Sequence, residues 1–154
     1  MLNIATVIGD DLTAKIPKLK SLEIVEMEDN SKLPESYLSV NAYLGAPGIV
    51  EALNRGADIV ITGRCVDSAL VLAPLMHEYK WTDSNYNLLA SGSLAGHIIE
   101  CGAQCTGGNF TDWKNIPNLD NVGYPVAILS DDTTFQITKP KNTGGKINLC
   151  LIHI

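Results

Sequence analysis

The sequence predicts an α/β fold: part of a layered, Rossmann-like domain with a mostly parallel sheet and a C-terminal β-hairpin. Three observations carry that expectation. The stretch "ADIVITG", residues 57–63, is a continuous β-branched run ending in glycine, the pattern of a strand covered on both faces, as parallel strands are. From residue 37 to 79, "YLSVNAYLGAPGIVEALNRGADIVITGRCVDSALVLAPLMHEY" alternates between element types and reads as strand, helix, strand, helix, which is the rhythm of a parallel sheet. Beyond Pro117, "PVAILSDDTTFQITKP" reads as two strands around an acidic turn at Asp131 and Asp132, a hairpin.

Taken in order, "NIATVIGDDLT" opens with an apolar run over residues 4–8, then Gly9 and two aspartates before a helical pattern. That is a strand feeding a helix, with Asp10 or Asp11 available as the N-cap. Pro17 falls inside the helical pattern and is expected to keep the helix short. Residues 20–36 turn polar and acidic, with Leu22, Ile24 and Val25 as the one expected buried group. Pro47 suits a first helical turn, Ile49, Val50 and Leu53 form its apolar stripe, and Gly56 is placed to end that helix in a left-handed cap. A third helix is expected from Leu88 to Cys101 or beyond. Gly92, Gly96 and Gly102 weaken it by about 1 kcal/mol each relative to alanine, so they imply close approach of another element or a ligand.

Composition narrows the function classes. At 154 residues, 45% hydrophobic and 18% charged, the chain suits one globular domain rather than a disordered one. A net charge of −6, without any Lys/Arg run, argues against nucleic acid as a partner. No apolar run is long enough to span a bilayer, and the opening residues lack a secretory signal, so a soluble, cytoplasmic protein is expected. Cys65, Cys101, Cys105 and Cys150 are expected to be free thiols packed as small hydrophobes, because the four-residue step from Cys101 to Cys105 is not the C-x-x-C of metal or redox pairs. The sequon at Asn109 carries no weight without a secretory signal.

In open α/β sheets ligands bind beyond the carboxyl ends of strands, and two motifs fall there. In "TGRCVD", residues 62–67, Gly63 lets the backbone turn and Arg64 is suited to grip a carboxylate or phosphate in bidentate fashion. The alternative is a structural brace between Arg64 and Asp67, with Asp67 capping the next helix. In "IGDDLT", Asp10 and Asp11 admit a magnesium ion with phosphate oxygens, although helix capping accounts for the same residues. No other cofactor or metal is expected.

Two further stretches attract chemistry. On a helix, "HIIECGAQCTGGNF", residues 97–110, would place His97, Cys101, Gln104 and Cys105 near one face, with Glu100 beside His97 and Gln104. Glu100 and His97 are the acid/base candidates, and a His-Cys thiolate pair is a further one. Gly107 and Gly108 either end the helix or form an anion-binding nest. The helix is expected to wall a small-molecule pocket. In "TKPKNTGGK", residues 138–146, lysines flank a glycine pair, but Ile147 stands where a Walker A loop needs Ser or Thr. The stretch is either a mobile basic turn or a place where Lys139, Lys141 or Lys146 holds a diphosphate or coenzyme A tail as point charges.

"NAYLGAPGIVEALNRGADIVITGRCVDSALVLAPLMHEYKW", "LLASGSLAGHIIECGAQCTGGNFTDW" and "ITKPKNTGG", three spaced motifs in order, together resemble the central part of the acyclic terpene utilisation protein family, AtuA. The matching positions are Asn41, Thr62, Gly63, Arg64, Asp67, His97, Glu100, Cys101, Gln104, Thr106, Gly107, Gly108, Lys139, Thr143 and Gly144. The resemblance assigns none of them a catalytic role. It implies that residues 1–154 form a single, partial domain, without the family's N-terminal strands and C-terminal region, and that the closing "KINLCLIHI" departs from the family pattern. It also implies a context of citronellol- and geraniol-type terpenoid breakdown, beside carboxylases acting on branched acyl-CoA thioesters.

The resulting expectation is an enzyme domain handling a branched or terpenoid acyl substrate as a CoA thioester. Asn41, Thr62, Gly63, Arg64, Asp67, Gln104, Thr106, Gly107, Gly108, Lys139, Thr143 and Gly144 are the expected binding residues. Expected partners are that small molecule, another copy of the chain, or acyl-CoA carboxylase subunits. The alternatives are a non-catalytic acyl-CoA or metabolite-binding module supporting a carboxylase, and an inactive truncated fragment.

Overall fold

The computed structural model describes residues 1–130 and 133–148. Its elements run β1 (Ile4–Val7), α1 (Ile16–Ser21), α2 (Pro47–Asn54), β2 (Ile59–Thr62), α3 (Ala69–Glu78), α4 (Tyr86–Glu100), β3 (Val126–Leu129) and β4 (Phe135–Thr138), joined in places by short 3₁₀ turns. The architecture is mixed α/β, with one parallel strand pair and one antiparallel hairpin. The chain divides into two compact units, Met1–Val66 and the residues from Asp67 onward.

In the first unit β1 and β2 pair in parallel, Ile4 opposite Ile59 and Val7 opposite Thr62. Pro47 opens α2, where its fixed φ suits a first turn, and Gly56 at φ +79° follows its last turn as expected. Helix α2 buries Ile49 and Ala52. It approaches β1 so closely that a Cβ at Gly48 would lie 2.6 Å from Val7 Cγ1. The other side of the sheet corrects the expectation of a strand covered on both faces: Ile59 is 42% and Ile61 57% exposed.

Three further expectations in this unit are corrected. Residues 37–44 form no strand, only single bridges of Asp11 with Asn41 and of Leu44 with Cys65. Their backbone groups are shared between two partners, Leu12 donating to Val40 and Ala42 to Asp10 on one side, Leu44 donating to Arg64 and Val66 to Leu44 on the other. Helix α1 is short as expected, at six residues, but Pro17 does not break it: it lies in the first turn, where its missing N–H has no partner to lose. Leu22, Ile24 and Val25 are not a buried group, being 60%, 45% and 43% exposed.

In the second unit α3 and α4 pack on each other. Ala69, Ala73 and Ala95 are fully buried there and Ile98 is 1% exposed. A Cβ on Gly96 would lie 2.7 Å from the Ser68 carbonyl oxygen, so at that position the close approach is made by a neighbouring segment of chain. Helix α4 starts at Tyr86, two residues before the expected Leu88. The N-cap of α3 is Ser68, and it makes no side-chain capping bond; Asp67 is therefore not the cap. The hairpin pairs Val126 with Thr138 and Leu129 with Phe135; the expected turn residues Asp131 and Asp132, like Cys150, lie outside the described residues. Among the described residues no helix is long and apolar enough to cross a membrane.

Candidate functional site

At the carboxyl ends of β1 and β2 the first unit gathers Asp10, Asn41, Gly63 and Arg64. The Asp10 carboxylate accepts a hydrogen bond from Asn41 Nδ2 at 3.0 Å, and the Arg64 backbone N–H also bonds to it and holds its pKa below the usual carboxylate value. Gly63 lies against that carboxylate: a Cβ built on it would collide with Asp10 Oδ1. The Arg64 guanidinium sits over the Tyr43 ring, 5.4 Å from its centroid, a cation–π arrangement. Thr62 Oγ1 lies 3.7 Å from Cys65 Sγ.

The neighbouring Asp11 has a different task. Its Oδ1 accepts the Thr13 backbone N–H at 2.8 Å, serving the start of the following 3₁₀ turn, whose N-cap position is held by Leu12. Bonds from Thr13 lower its pKa as well. The carboxylates of Asp10 and Asp11 thus both engage protein donors. Among the described residues no group of three or more His, Cys, Asp or Glu is arranged to hold a metal ion.

In the second unit the stretch 97–110 is not one continuous helix. Helix α4 ends at Glu100, and residues Gly102–Thr106 form a 3₁₀ turn closed by Gly107 at φ +110°. Gly102, whose φ is +55°, separates α4 from this turn; His97 and Cys101 precede it, and the Cys101 and Cys105 side chains still meet across it. Glu100 is exposed, while His97 and Gln104 are half-buried. Cys105 is fully buried and its thiol donates to the Ile98 carbonyl at 3.1 Å. Burial is the main reason its pKa is pushed up to about 11. Burial, then the adjacent Glu100 charge, also raises that of Cys101, whose Sγ is 3.8 Å from Glu100 Oε2. Both shifts run away from the thiolate that an activated His-Cys pair needs.

The structure brings together two Thr-Gly-Gly stretches, 106–108 and 143–145. Lys146 donates its N–H to the Thr106 carbonyl at 2.8 Å. A Cβ on Gly145 would lie 2.7 Å from that oxygen, and one on Gly144 would collide with the Asn118 carbonyl. The N–H groups of Gly107, Gly108, Gly144 and Gly145 are taken by the carbonyls of Gln104, Ala103, Asn121 and Pro117. Lys139 Nζ donates to the Thr143 carbonyl at 2.8 Å and to Thr143 Oγ1 at 3.2 Å. Lys139 and the glycines therefore hold this loop in place, whereas Lys141 and Lys146 are exposed.

Sequence reasoning named Arg64 but missed Tyr43. The signal was an aromatic residue two positions after Asn41, in a segment read as a strand. A cavity of about 140 Å³ in the second unit is lined by Tyr79, Trp81, Leu88, Leu129 and Ser130, and residues 97–108 do not contribute to its wall.

A model of the family described as Acyclic terpene utilisation family protein AtuA matches residues 1–152. No curated protein and no solved structure matches the chain. The chain belongs to the AtuA family.

Proposed function

From that membership we propose that this chain is an enzyme domain of acyclic terpene utilisation, acting on a branched or terpenoid acyl group carried as a CoA thioester. The reading includes a single layered, Rossmann-like domain in which β1 and β2 are neighbouring strands of a mostly parallel sheet. The observation that carries it is the convergence of Asp10, Asn41, Gly63 and Arg64 where the two parallel strands end, the position at which open α/β sheets take ligands. Arg64 anchors an anionic group of the substrate. Glu100, exposed at the end of α4, and His97, one turn earlier, are the acid/base candidates.

A non-catalytic acyl-CoA-binding module that serves a carboxylase is the second reading. It is favoured by the burial that raises the pKa of Cys101 and Cys105, a shift away from a thiolate nucleophile at that helix end. The first test is a thermal-shift screen of the purified chain against branched acyl-CoA thioesters, free terpenoid acids and divalent metals, since a ligand of the folded state raises its melting temperature by mass action. With the thioester that shifts the melt, Glu100→Gln and Arg64→Ala separate the readings. An enzyme loses turnover in Glu100→Gln while still binding, and a module shows no turnover and loses binding in Arg64→Ala. Full turnover in both variants would refute these site assignments.

A further inference from the structure

We propose that Asp10 is a positioning residue for an anion-binding pair, Arg64 and Tyr43, at the carboxyl ends of β1 and β2. The inference rests on the reading of Arg64 as the anchor of the substrate's anionic group.

Gly63 shows that the space beside the end of β2 belongs to Asp10. Its φ is not in the left-handed region, yet a Cβ there would collide with the carboxylate. Glycine thus leaves room for the carboxylate rather than serving a special backbone conformation. The admitted carboxylate then accepts two donors from two separate segments, Asn41 Nδ2 at 3.0 Å and the Arg64 backbone N–H.

The same two segments are tied by their backbones. Ala42 donates to the Asp10 carbonyl at 2.8 Å and Leu44 to the Arg64 carbonyl at 3.0 Å. Tyr43 lies between those two anchored residues, so its backbone is held relative to that of Arg64. Asp10 is where the stitches meet: its carboxylate adds side-chain bonds to both segments, and without it only the backbone bonds remain.

The resulting pair has a definite chemistry. With the guanidinium carbon over the Tyr43 ring, 5.4 Å from its centroid, its N–H groups remain for a carboxylate or phosphate in bidentate geometry. Among the described residues the Arg64 guanidinium forms no ion pair, and Tyr43 is 60% exposed. The ring offers a surface to an apolar or planar group attached to that anion. The class of ligand recognised is a carboxylate or phosphate borne on such a group.

The test reads Arg64 directly in the full chain. In nitrogen-15 NMR spectra the Arg64 Nε–Hε resonance, assigned by its loss in Arg64→Lys, carries a ring-current shift that Tyr43→Leu abolishes. Asp10→Ala and Gly63→Ala are both expected to move this resonance toward its position in Tyr43→Leu. The second variant displaces the carboxylate while leaving every charge in place, which guards against poor folding of the first. A resonance unmoved in both variants overturns the positioning role.

Calorimetric titration with coenzyme A and, separately, 3-methylbutanoate tests the pair as a binding site and tells phosphate from carboxylate. Whichever probe binds is expected to weaken about tenfold or more in Arg64→Ala and to weaken in Asp10→Ala. Equal binding by wild type and Arg64→Ala, or no binding of either probe, overturns the anion anchor and with it that part of the proposed function. The NMR result still decides, independently, whether Asp10 positions Arg64.

Discussion

Replacing Gly96 by alanine is the most direct probe of how the second unit is packed. The added methyl would lie 2.7 Å from the Ser68 carbonyl oxygen, 2.9 Å from its Cα and 3.1 Å from its Cβ. These are mainly backbone atoms at the N-cap of α3, so relief requires a shift of the helix pair. Overpacking of this kind costs about 1–3 kcal/mol, while alanine in mid-helix returns about 1 kcal/mol of propensity. With backbone as the obstacle the upper part of the cost applies, and the net expectation is a loss of about 1–2 kcal/mol. That corresponds to a melting temperature lower by about 2–8 °C. Gly92→Ala is the control on the same helix: its methyl would meet Leu72 Cδ1 at 2.8 Å and Trp81 Cζ3 at 3.0 Å, side-chain ends with more freedom to move. It should be closer to neutral. Urea and thermal unfolding followed by circular dichroism measure both variants, and Gly96→Ala as stable as wild type or as Gly92→Ala would refute the reasoning.

Four other outcomes are expected. Lys139→Met removes two charge-assisted bonds to Thr143 and should lower stability by about 1–2 kcal/mol; an unchanged urea midpoint would show that the loop does not depend on the lysine. Cys105, buried and with its pKa at about 11, should react with a disulfide reagent at pH 8 more slowly than the half-buried Cys101 and Cys65, and equal rates measured by mass spectrometry would contradict this. The same shift links Cys105 to alkaline stability: the unfolded thiol loses its proton near its ordinary value of 9.0 and the folded one only near 11, so stability falls as pH rises through that window, and Cys105→Ala should flatten the slope. Asp10, Asp11 and Asp29 have folded pKa values lowered from 3.8. Their contribution is present above that value and lost as pH falls below it; acid unfolding of Asp11→Asn that keeps the full wild-type slope would exclude Asp11 from the effect.

The sequence pattern conveyed the parts of the fold that are decided locally. The β-branched run before Gly63, the proline opening α2 and the glycines after α2 and after residue 106 each express a backbone preference that neighbouring residues satisfy. The hairpin strands were legible for the same reason. Residues 37–44 were not, because the apolar and polar positions that suggested a strand do not reveal where its N–H groups go, and they are divided between two strand-end loops. The coverage of β2 was misread because a β-branched run reports strand propensity more directly than burial. The continuity of residues 97–110 as one helix failed on a single residue, since Gly102 at φ +55° turns the α-helix into a 3₁₀ turn, even though Cys101 and Cys105 still meet across it. Asp10 and Arg64 were each legible as candidates at strand ends. Their connection through Gly63 and Asn41 was not, because it depends on contacts between segments far apart in the chain.

An account of the donors separates the two places where an anion was expected. In the second unit, Gly107, Gly108, Gly144 and Gly145 already give their N–H groups to carbonyls, and the Lys139 ammonium is held by Thr143. A phosphate arriving there would have to replace internal bonds, each with a net worth of about 1 kcal/mol, and open a loop whose glycines are packed against other backbone. In the first unit, Asp10 is satisfied by Asn41 and the Arg64 backbone, but the in-plane N–H groups of the Arg64 guanidinium are not used by any ion pair among the described residues. An anion binding there would exchange water for ligand without breaking an ion pair of the protein among the described residues. The backbone N–H groups of the glycine-rich loops are therefore the poorer donors, leaving only the exposed Lys141 and Lys146 there, whereas the arginine beside a tyrosine has its own N–H groups to offer.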